Sequence, residues 1–482
     1  MMKRKKWRLQ LSNLPEDILC TIVSKLPLRE AARTSILSSQ WNRTWCSHTN
    51  LNLSYRSIMS RRYIERDITP EGRKLNAEEF IRRVDAILQQ HNGGGVEKIE
   101  VIGLLENENA YHINGWVNFA IKSKTKQLVL DFRSFHWPID EPYNFAFQIF
   151  DAANMENLQS LKLGSISLKP PADFKGFQNL KRLKLLDVGI TDEDLQLLLS
   201  NCNCLEFLGI YCCKLITSLR TTHLSTQLKH LYVYECPCLK EIELNSGLTT
   251  LEYIGPLIPL APPGIYYIFT ELPSTLPRLE MLTSQCRELE RITLPDKPIK
   301  FIYLKHLRLE LAFSGPRKWD ADILDFACIL EAAPLMEKLE FHMWMNCRDH
   351  LRYRKAHGKL RTLPPCPHYH LKEVNIAGFY GQKDQLELAH HILRNSVVLQ
   401  AMNIDPRPIA ACDRSRMAIL EAFNFVDGSK VAMKYLCKAD HRNVVHVSDL
   451  SRKDVENVPA YRLVSPFWIE FDKTKRSGLL IR

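Results

Sequence analysis

The sequence predicts an α/β protein in which a small N-terminal helical module precedes a repeating α/β solenoid. Three observations support this fold class. An apolar pattern at helical spacing occupies the first 50 residues, alternating helix and strand patterns follow, and a Leu-x-x-Leu-x-Leu frame recurs from about residue 155. With 482 residues and 45% hydrophobic composition, the chain is long enough to bury a large core.

The N-terminal module is predicted to be helical. Pro15 suits the first helical position, and an acidic first turn follows it at the positive end of the helix dipole. One apolar stripe continues at helical spacing through Ile18, Leu19, Ile22, Val23 and Leu26. Pro27 ends this helix, and further helices are expected over 28–36 and 39–45. A module of about forty residues rarely forms a core alone, so its apolar surface pairs with another chain or packs only against the rest of this one.

The motifs of this module resemble the F-box, over residues 11–50. The matching motifs are Leu-Pro-x-Asp-Ile-Leu at 14–19, Leu-Pro at 26–27, Arg-x-Ser-x-Leu-Ser at 33–38 and Trp-x-x-x-Trp at 41–45. The resemblance implies docking on the SKP-type adaptor of an SCF ubiquitin ligase, and through it on a cullin. The implied docking residues are Leu14, Pro15, Ile18, Leu19, Ile22, Leu26, Pro27 and Leu28. Trp41 and Trp45 match structural tryptophans of the family, whereas Gln40 departs from its usual Lys or Arg.

Charge and cysteine content narrow the partners and the compartment. The net charge is +11, and the first 100 residues hold 18 Lys or Arg against 11 Asp or Glu. Since the sequence contains no nucleic-acid-binding motif, this excess favours an acidic protein partner. The basic run at 3–6 precedes no apolar signal segment, and prolines interrupt the apolar stretch 254–269, so no membrane segment is expected. Fourteen cysteines then indicate reduced thiols in the nucleus, the cytoplasm or both.

Helix and strand patterns alternate after a connector predicted over 51–75. Asn76 is predicted to cap a helix that stops before the glycines at 93–95. A strand over 96–101, a helix over 113–121 and a strand over 127–132 follow. This alternation begins the solenoid, which we assign to residues 76–363.

The repeat frame is explicit from about residue 155. Its central leucines are Leu161, Leu183, Leu208, Leu231 and Leu251. The first four are 22, 25 and 23 residues apart, within the range of leucine-rich repeats. Weaker copies are predicted at 289–294, 304–309 and 335–341. One repeat cannot bury its inward leucines alone, so stacked copies share a continuous core.

Clustered cysteines and histidines leave two interpretations open. Cys213 and Cys236 occupy the ninth position of the repeat frame, where a small buried side chain packs at a turn. Zinc is the alternative, although Cys-x-Cys lacks the two-residue gap of common zinc knuckles. Cys366, His368 and His370 pose the same question, and a loop entering a strand is favoured over a metal site. No metal and no other cofactor is therefore predicted.

A second resemblance begins at Cys366. A strand pattern over 371–376, Gly378 and Gly381, and a helix pattern ending at Asn395 resemble the FBD domain of plant F-box proteins. We assign this domain to 364–440, as a strand–helix–strand unit that caps the solenoid, and a tail of unknown structure to 441–482. Together the two resemblances indicate the plant F-box/FBD/leucine-rich-repeat family.

The motifs predict an adaptor rather than an enzyme, because the sequence contains no P-loop, His-Glu-x-x-His, Gly-x-Ser-x-Gly or Rossmann fingerprint. The resemblance implies a substrate-recognition subunit that holds a target protein for ubiquitination. The alternative is a leucine-rich-repeat scaffold or ligand receptor without substrate turnover. Recognition must use positions between the inward leucines, and Tyr232 and Tyr234 are predicted as exposed target-binding anchors.

Overall fold

The structure is a computed structural model. It describes residues 14–34, 41, 44–59, 69–91, 94–134, 139–150, 156–175, 177–221, 227–255, 265–287, 298–315, 322–347, 352–407 and 428–448. The chain forms two compact units. The N-terminal unit comprises residues 1–228 and 236–238, and the C-terminal unit comprises residues 229–235 and 239–482.

Two short helices open the N-terminal unit, α1 (Glu16–Ser24) and α2 (Leu28–Arg33), with Pro27 between them. Leu19 and Val23 are fully buried, as expected for the inner side of an amphipathic helix. Of the helix predicted over 39–45, the structure describes only residues 41, 44 and 45, and the last two belong to a 3-10 turn, Thr44–Ser47. The rest of that prediction lies outside the described part of the chain, as do residues 35–38.

A parallel sheet forms the centre of the N-terminal unit. The described strands of this unit are β1 (Asn50–Ser54), β2 (Lys98–Ile102), β3 (Gln127–Asp131), β4 (Tyr143–Asn144), β5 (Ser160–Gly164), β6 (Ile166–Ser167), β7 (Arg182–Leu186), β8 (Phe207–Tyr211) and β9 (Ser218–Arg220). β1, β2, β3, β5, β7 and β8 pair in that order, while β4 pairs with β6. The register aligns Leu128, Leu161, Leu183 and Leu208 in one buried row, which confirms the repeat frame.

The segment 51–75, predicted to be a connector, contains the first strand of this sheet. β1 pairs with β2 along its whole length and buries Leu51 and Leu53. After α3 (Tyr55–Ile58), α4 (Pro70–Gln90) begins where the Thr69 hydroxyl accepts a hydrogen bond from the Gly72 N–H at 3.1 Å. The prediction that Asn76 caps this helix is wrong. Asn76 instead lies inside α4 and is buried. The helix starts six residues earlier, at Pro70, because proline suits the first helical position.

Two further helices of this unit agree with the sequence pattern. α5 (Ala110–Lys122) covers the helix predicted over 113–121 and buries Ile113 and Val117. α6 (Asp192–Ser200) is capped by Thr191, whose hydroxyl accepts a hydrogen bond from the Asp194 N–H at 3.2 Å. The cap satisfies a helix-terminal N–H and fixes where the helix begins.

Successive strands of the N-terminal unit end in the same backbone conformation. Ser165, Asp187 and Cys212 directly follow β5, β7 and β8, with φ angles of 50°, 52° and 55°. They are 22 and 25 residues apart, the same intervals that separate the leucines. Because residues other than glycine rarely adopt left-handed φ angles, the repeats share a specific turn that the leucine frame alone does not predict.

The strands of the C-terminal unit also pair in parallel. Its described strands are β10 (His230–Tyr234), β11 (Glu241–Glu243), β12 (Thr250–Ile254), β13 (Met281–Arg287), β14 (His306–Gly315), β15 (Lys338–Cys347), β16 (Glu373–Ala377), β17 (Ala401–Asp405) and β18 (Val445–Val447). All except β11 pair in chain order. The buried row consists of Leu231, Leu251, Leu282, Leu307, Leu339, Val374 and Met402. Leu282 therefore supplies the repeat that was predicted at 289–294, a segment outside the described residues.

The predicted strand–helix–strand unit near the end of the chain is confirmed. The described α-helices of the C-terminal unit are α7 (Ile265–Thr270), α8 (Leu272–Thr275), α9 (Ile329–Ala332) and α10 (Lys383–Asn395). α10 connects β16 to β17 through a turn at Gly378, whose φ is 73°. A Cβ atom there would lie 1.8 Å from the Met343 carbonyl oxygen, so only glycine fits. β18 pairs with β17, so the region predicted as a tail from 441 onward begins with a strand.

Candidate functional site

An apolar edge of the N-terminal module is exposed. Ile18 and Ile22 lie one turn apart on α1 and expose 44% and 37% of their surface, and Pro15 and Pro27 at its two ends are also exposed. Single exposed apolar residues are ordinary, but four on one short helix and its flanks form a candidate contact surface. We call Pro15, Ile18, Ile22 and Pro27 the docking edge.

The eight residues predicted to dock fall into different environments. Leu19 and Leu28 are buried and form the core of the module, whereas Leu14 and Leu26 are half-buried. The remaining four are the docking edge. Trp41 and Trp45 are buried, in agreement with a structural role. The structure thus separates residues that can touch a partner from residues that hold the module together.

Two histidines fasten the module to the sheet. The Asn50 N–H donates to Nδ1 of His48 at 3.2 Å, which leaves the His48 proton on Nε2 to donate to the Leu26 carbonyl at 3.0 Å. Nε2 of His91, just after α4, donates to the His48 carbonyl at 3.0 Å. Burial lowers the pKa of His91, so its ring stays neutral. These bonds tie the end of α1 to β1 and α4. Sequence analysis missed both residues because their partners are backbone carbonyls distant in sequence.

The two predicted target anchors on β10 are not both exposed. Tyr232 is half-buried, and Tyr234 exposes 7% of its surface. Tyr234 stands in register with Ile254, which is also buried, so the two side chains share a covered row of the sheet. The prediction that Tyr234 is an exposed anchor is therefore wrong. The role of Tyr232 stays a prediction.

On β3 and β5 of the N-terminal unit, two cations share one carboxylate. Asp131 accepts two hydrogen bonds from the Arg133 guanidinium, each of 2.8 Å, and lies 3.4 Å from the Lys162 Nζ. Burial alone would raise the pKa of Asp131, but the Arg133 hydrogen bonds and the nearby cationic charges hold it below its usual range. The carboxylate remains ionised and offsets one of the two charges.

The next two strands continue this feature with an aromatic ring. The Arg182 guanidinium carbon and the Lys184 Nζ, both on β7, lie 4.3 Å and 5.1 Å from the ring centre of Phe207 on β8. Both distances are within the range of cation–π attraction. We call Arg133, Lys162, Arg182 and Lys184 the basic strip. It could have been found by comparing the outward positions of neighbouring repeats.

The corresponding face of the C-terminal unit carries cations and acids together. This charge cluster consists of His306, Arg308, Glu310, Lys338, Glu340 and His342 on β14 and β15. Glu310 accepts from the Arg308 Nε at 2.8 Å and lies 3.2 Å from Nδ1 of His342. Nε2 of His342 lies 3.4 Å from Glu340, which also binds Nε2 of His306 at 2.6 Å. Carboxylates on both ring nitrogens favour a doubly protonated His342.

The pKa values in the charge cluster follow from this geometry. Burial by itself lowers the pKa of His342, but hydrogen bonds to Glu310 and Glu340 outweigh it and raise the pKa above its usual value. Burial by itself raises the pKa of Glu340, and hydrogen bonds from His306 and His342 bring it far below its usual range. Lys338 also lies 3.5 Å from Glu373 on β16. Three carboxylates therefore face Arg308, Lys338 and the protonated His342, and their charges offset one another.

The clustered cysteines and histidines have structural partners. The Sγ of Cys213 donates to the Tyr211 carbonyl at 3.5 Å, and the Sγ of Cys236 lies 3.9 Å from the Ile210 carbonyl, as expected for the ninth repeat position. Burial raises the pKa of Cys213 to about 12, which keeps the thiol protonated. His368 is buried, with Nε2 2.9 Å from the Ala333 carbonyl, and the Cys366 N–H donates to Asn395 at 2.7 Å.

The described ranges contain neither a metal-binding cluster nor a membrane-spanning helix. Within them, no three His, Cys, Asp or Glu side chains are arranged to hold a metal ion. Within the same ranges, no helix combines the length and apolar content needed to cross a membrane.

Comparisons with known proteins agree with the two-part organisation. A model of the F-box domain matches residues 11–53, and a model described as "At1g61320/AtMIF1, LRR domain" matches residues 87–427. The F-box match supports binding of an SKP-type adaptor in general, and the two domains together support an adaptor role in SCF ligases in general.

Curated plant proteins are similar along most of the chain. F-box/FBD/LRR-repeat protein At5g56420 of Arabidopsis thaliana is 26% identical over 83% of this chain and 92% of its own length. F-box/FBD/LRR-repeat protein At1g13570 of the same plant is 24% identical over 82% and 90%. These names support the FBD resemblance and point to a non-catalytic adaptor. With 341 of its 482 residues matched by the repeat model, the chain belongs to the At1g61320/AtMIF1 leucine-rich-repeat family and joins those repeats to an F-box.

Proposed function

We propose that this chain is the substrate-recognition subunit of an SCF ubiquitin ligase. The docking edge binds the SKP-type adaptor, which links the chain to a cullin, and the repeat region holds a target protein. The observation that carries the proposal is the docking edge itself: four exposed apolar residues on a module in which Leu19, Val23 and Leu28 are buried.

The chain contributes position rather than chemistry. Holding a target beside the ligase converts ubiquitin transfer from a bimolecular encounter into a local one, while other subunits supply the reacting groups. The bonds of His48 and His91 support this role because they fix the docking edge relative to β1. The protonated buried thiols suit a reducing compartment, so we place the protein in the nucleus, the cytoplasm or both.

The test removes the apolar character of the docking edge. Ile18→Ser combined with Ile22→Ser should weaken binding of purified full-length protein to the SKP-type adaptor at least tenfold, because apolar anchors at an interface each contribute about 2 kcal/mol. Both side chains are substantially exposed in the unbound chain, so the melting temperature should change little.

A matched control is Leu75→Ser. Leu75 is 59% exposed on α4, outside the docking edge, and its replacement should leave adaptor affinity within twofold. Equal adaptor affinity in the Ile18/Ile22 variant and the wild type would contradict the proposal. Adaptor binding without co-purifying cullin, or target levels that do not respond to proteasome inhibition, would favour the scaffold or ligand-receptor alternative.

A further inference from the structure

We propose that the edge of the C-terminal unit at which strands β14 to β17 begin is a self-complementary surface that binds a second copy of this chain. The proposal goes beyond the function proposed above and does not depend on it. Two parallel rows of side chains form the surface. One row is apolar, and the other alternates between acids and lysines.

Successive repeats of the C-terminal unit place exposed apolar side chains in the same turn. The third and fourth residues before each strand lie in this turn, and a buried residue follows them. Before β15, the Met336 N–H donates to the Ala333 carbonyl at 3.1 Å, so Pro334 and Leu335 are the central residues of the turn. The large apolar residues at these positions before β14 to β17 each expose between 39% and 64% of their surface. We call them the apolar ridge: Ile302, Tyr303, Leu335, Tyr369, Val397 and Val398.

The turn itself does not require apolar residues. In the N-terminal unit, the same two positions before β5 and β7 are occupied by Glu156, Asn157, Gln178 and Asn179, all of which are exposed. The turn before β7 closes with the same hydrogen bond, from a backbone N–H to the carbonyl three residues earlier, at 3.0 Å. Polar residues therefore build this turn, and exposed apolar residues in four consecutive turns are typical of a contact surface.

The ridge is held in place before any partner binds. The buried ring of His368 accepts the Leu371 N–H on Nδ1 at 3.1 Å and donates from Nε2 to a carbonyl of the turn before β15 at 2.9 Å. The Arg442 guanidinium donates to the carbonyls of Leu393 and Ser396, each at 2.7 Å. These bonds fix the turns before β16 and β17, so binding need not order their backbone.

A row of charged residues runs beside the ridge. The residues directly before β13, β14, β15 and β16 are Glu280, Lys305, Glu337 and Lys372, and from Lys305 onward each backbone N–H donates to the carbonyl of the preceding member at 2.8 Å. Within the chain, Lys305 lies 2.9 Å from Glu280 and Lys372 lies 2.7 Å from Glu337, with all four side chains about half exposed. The sign of the charge therefore alternates from strand to strand.

The apolar ridge matches its own reverse. A twofold axis that crosses both rows between β15 and β16 places each row opposite itself with the strand order reversed. Leu335 then faces Tyr369 of the second copy, and the turn before β14 faces the turn before β17. Apolar side chains meet apolar side chains along the whole ridge.

The charged row matches its reverse about the same axis. Glu337 then faces Lys372 of the second copy, and Lys305 faces the uncharged Gln400, so like charges do not meet along this row. This is the charge complementarity that favours association, and it arises from one sequence facing itself. The two rows supply fewer residues than the roughly 20–30 on each side of a standard interface, so the dimer should form at concentrations on the order of micromolar.

The first test is sedimentation velocity of the purified full-length protein from roughly 1 to 100 µM. The wild type should shift from monomer to dimer as concentration rises. Ile302→Ser with Tyr369→Ser should weaken self-association at least tenfold, because apolar anchors carry most of the binding energy of an interface. Both side chains are exposed in the single chain, at 62% and 64%, so the melting temperature should change little.

The matched control is Leu215→Ser with Tyr111→Ser. These residues are also one aliphatic and one tyrosine, exposed at 57% and 84%, but they lie in the N-terminal unit. Self-association of this control should stay within twofold of the wild type. Equal self-association of the ridge variant and the control would overturn the proposal.

The second test reverses the charges with Glu337→Lys and Lys372→Glu. The ion pair within the chain is preserved, and two copies of the variant again face each other with opposite charges, so the variant should self-associate within threefold of the wild type. A mixture should behave differently. Labelled wild type should bind the variant at least tenfold more weakly than it binds unlabelled wild type, because like charges then face each other.

Free mixing of the reversed variant with the wild type would overturn the proposal, and so would a monomer at every concentration. A monomeric chain whose ridge variant loses its co-purifying proteins would assign the ridge to a captured target instead. Adaptor affinity should be normal in every one of these variants. A failure of self-association is therefore distinguishable from a failure of the docking edge, which is measured by adaptor affinity alone.

Discussion

The two units use the same repeat but hold buried charge on their outward faces differently. In the N-terminal unit, the Asp131 carboxylate lies between two cations, Arg133 and Lys162. In the C-terminal unit, the His342 ring lies between two carboxylates, Glu310 and Glu340. The shared counter-ion is a carboxylate on the first face and an imidazolium on the second.

This difference shows that one repeat architecture accommodates buried charge in two ways. A shared carboxylate and a shared imidazolium each offset neighbouring charges that would otherwise be costly to bury. The inward leucines are equivalent in both units, so the difference arises at the outward positions, which the core does not constrain.

The largest expected effect comes from removing the central carboxylate of each cluster. Glu310→Ala should lower the free energy of unfolding by about 3 kcal/mol, because it removes the carboxylate that the half-buried Arg308 and the buried His342 share. Asp131→Ala should cost a similar amount by exposing the repulsion between Arg133 and Lys162. Denaturant melts of the full chain measure both.

The matched variants are Glu310→Gln and Asp131→Asn, which keep an acceptor oxygen and should cost less than the alanines. A loss below about 1 kcal/mol for Glu310→Ala would mean that the cluster is hydrated rather than buried, and the contrast between the two faces would weaken.

A smaller expected effect is a difference in how the charged groups of the two units make stability depend on pH. The raised pKa of His342 means that its contribution to stability is complete below about pH 6.5 and is lost as pH rises through the folded-state pKa. The stability difference between wild type and His342→Gln should therefore shrink between pH 6 and pH 9. Thermal melts across this range measure it.

His91 in the N-terminal unit should give the opposite pH dependence of stability. Burial lowers its pKa, so its neutral ring supports the fold above pH 6.5 and this support is lost as pH falls. The stability difference between wild type and His91→Gln should shrink toward acid. Identical pH slopes for the two variants would show that His342 is not held as an imidazolium.

The smallest effect concerns exposed ion pairs just before the strands. Glu97 and Lys126 lie 2.9 Å apart in the N-terminal unit, and Glu337 and Lys372 lie 2.7 Å apart in the C-terminal unit, all about half exposed. Double-mutant cycles should give coupling of at most about 0.5 kcal/mol for each, decreasing with salt. Coupling above about 1 kcal/mol would mean that these exposed ion pairs, and not only the buried clusters, contribute substantially to the free energy of unfolding.

Much of the architecture could be predicted because it follows from periodic local signals. The leucine frame defined the inward rows from Leu161 to Leu251. Predictions failed where such signals compete. Asn76 resembled a cap, but Thr69 and Pro70 start that helix six residues earlier.

The inward pattern, the F-box motif and the glycines of the final turn can be read from the sequence alone, because each depends on residues close together in the chain. Only tertiary packing sets which side of α1 stays exposed, covers Tyr234, and brings cations to carboxylates on other strands. Residues such as Glu310 and His342 are far apart in sequence and become neighbours only when strands stack in register, since charge pairing and burial act through space rather than along the chain.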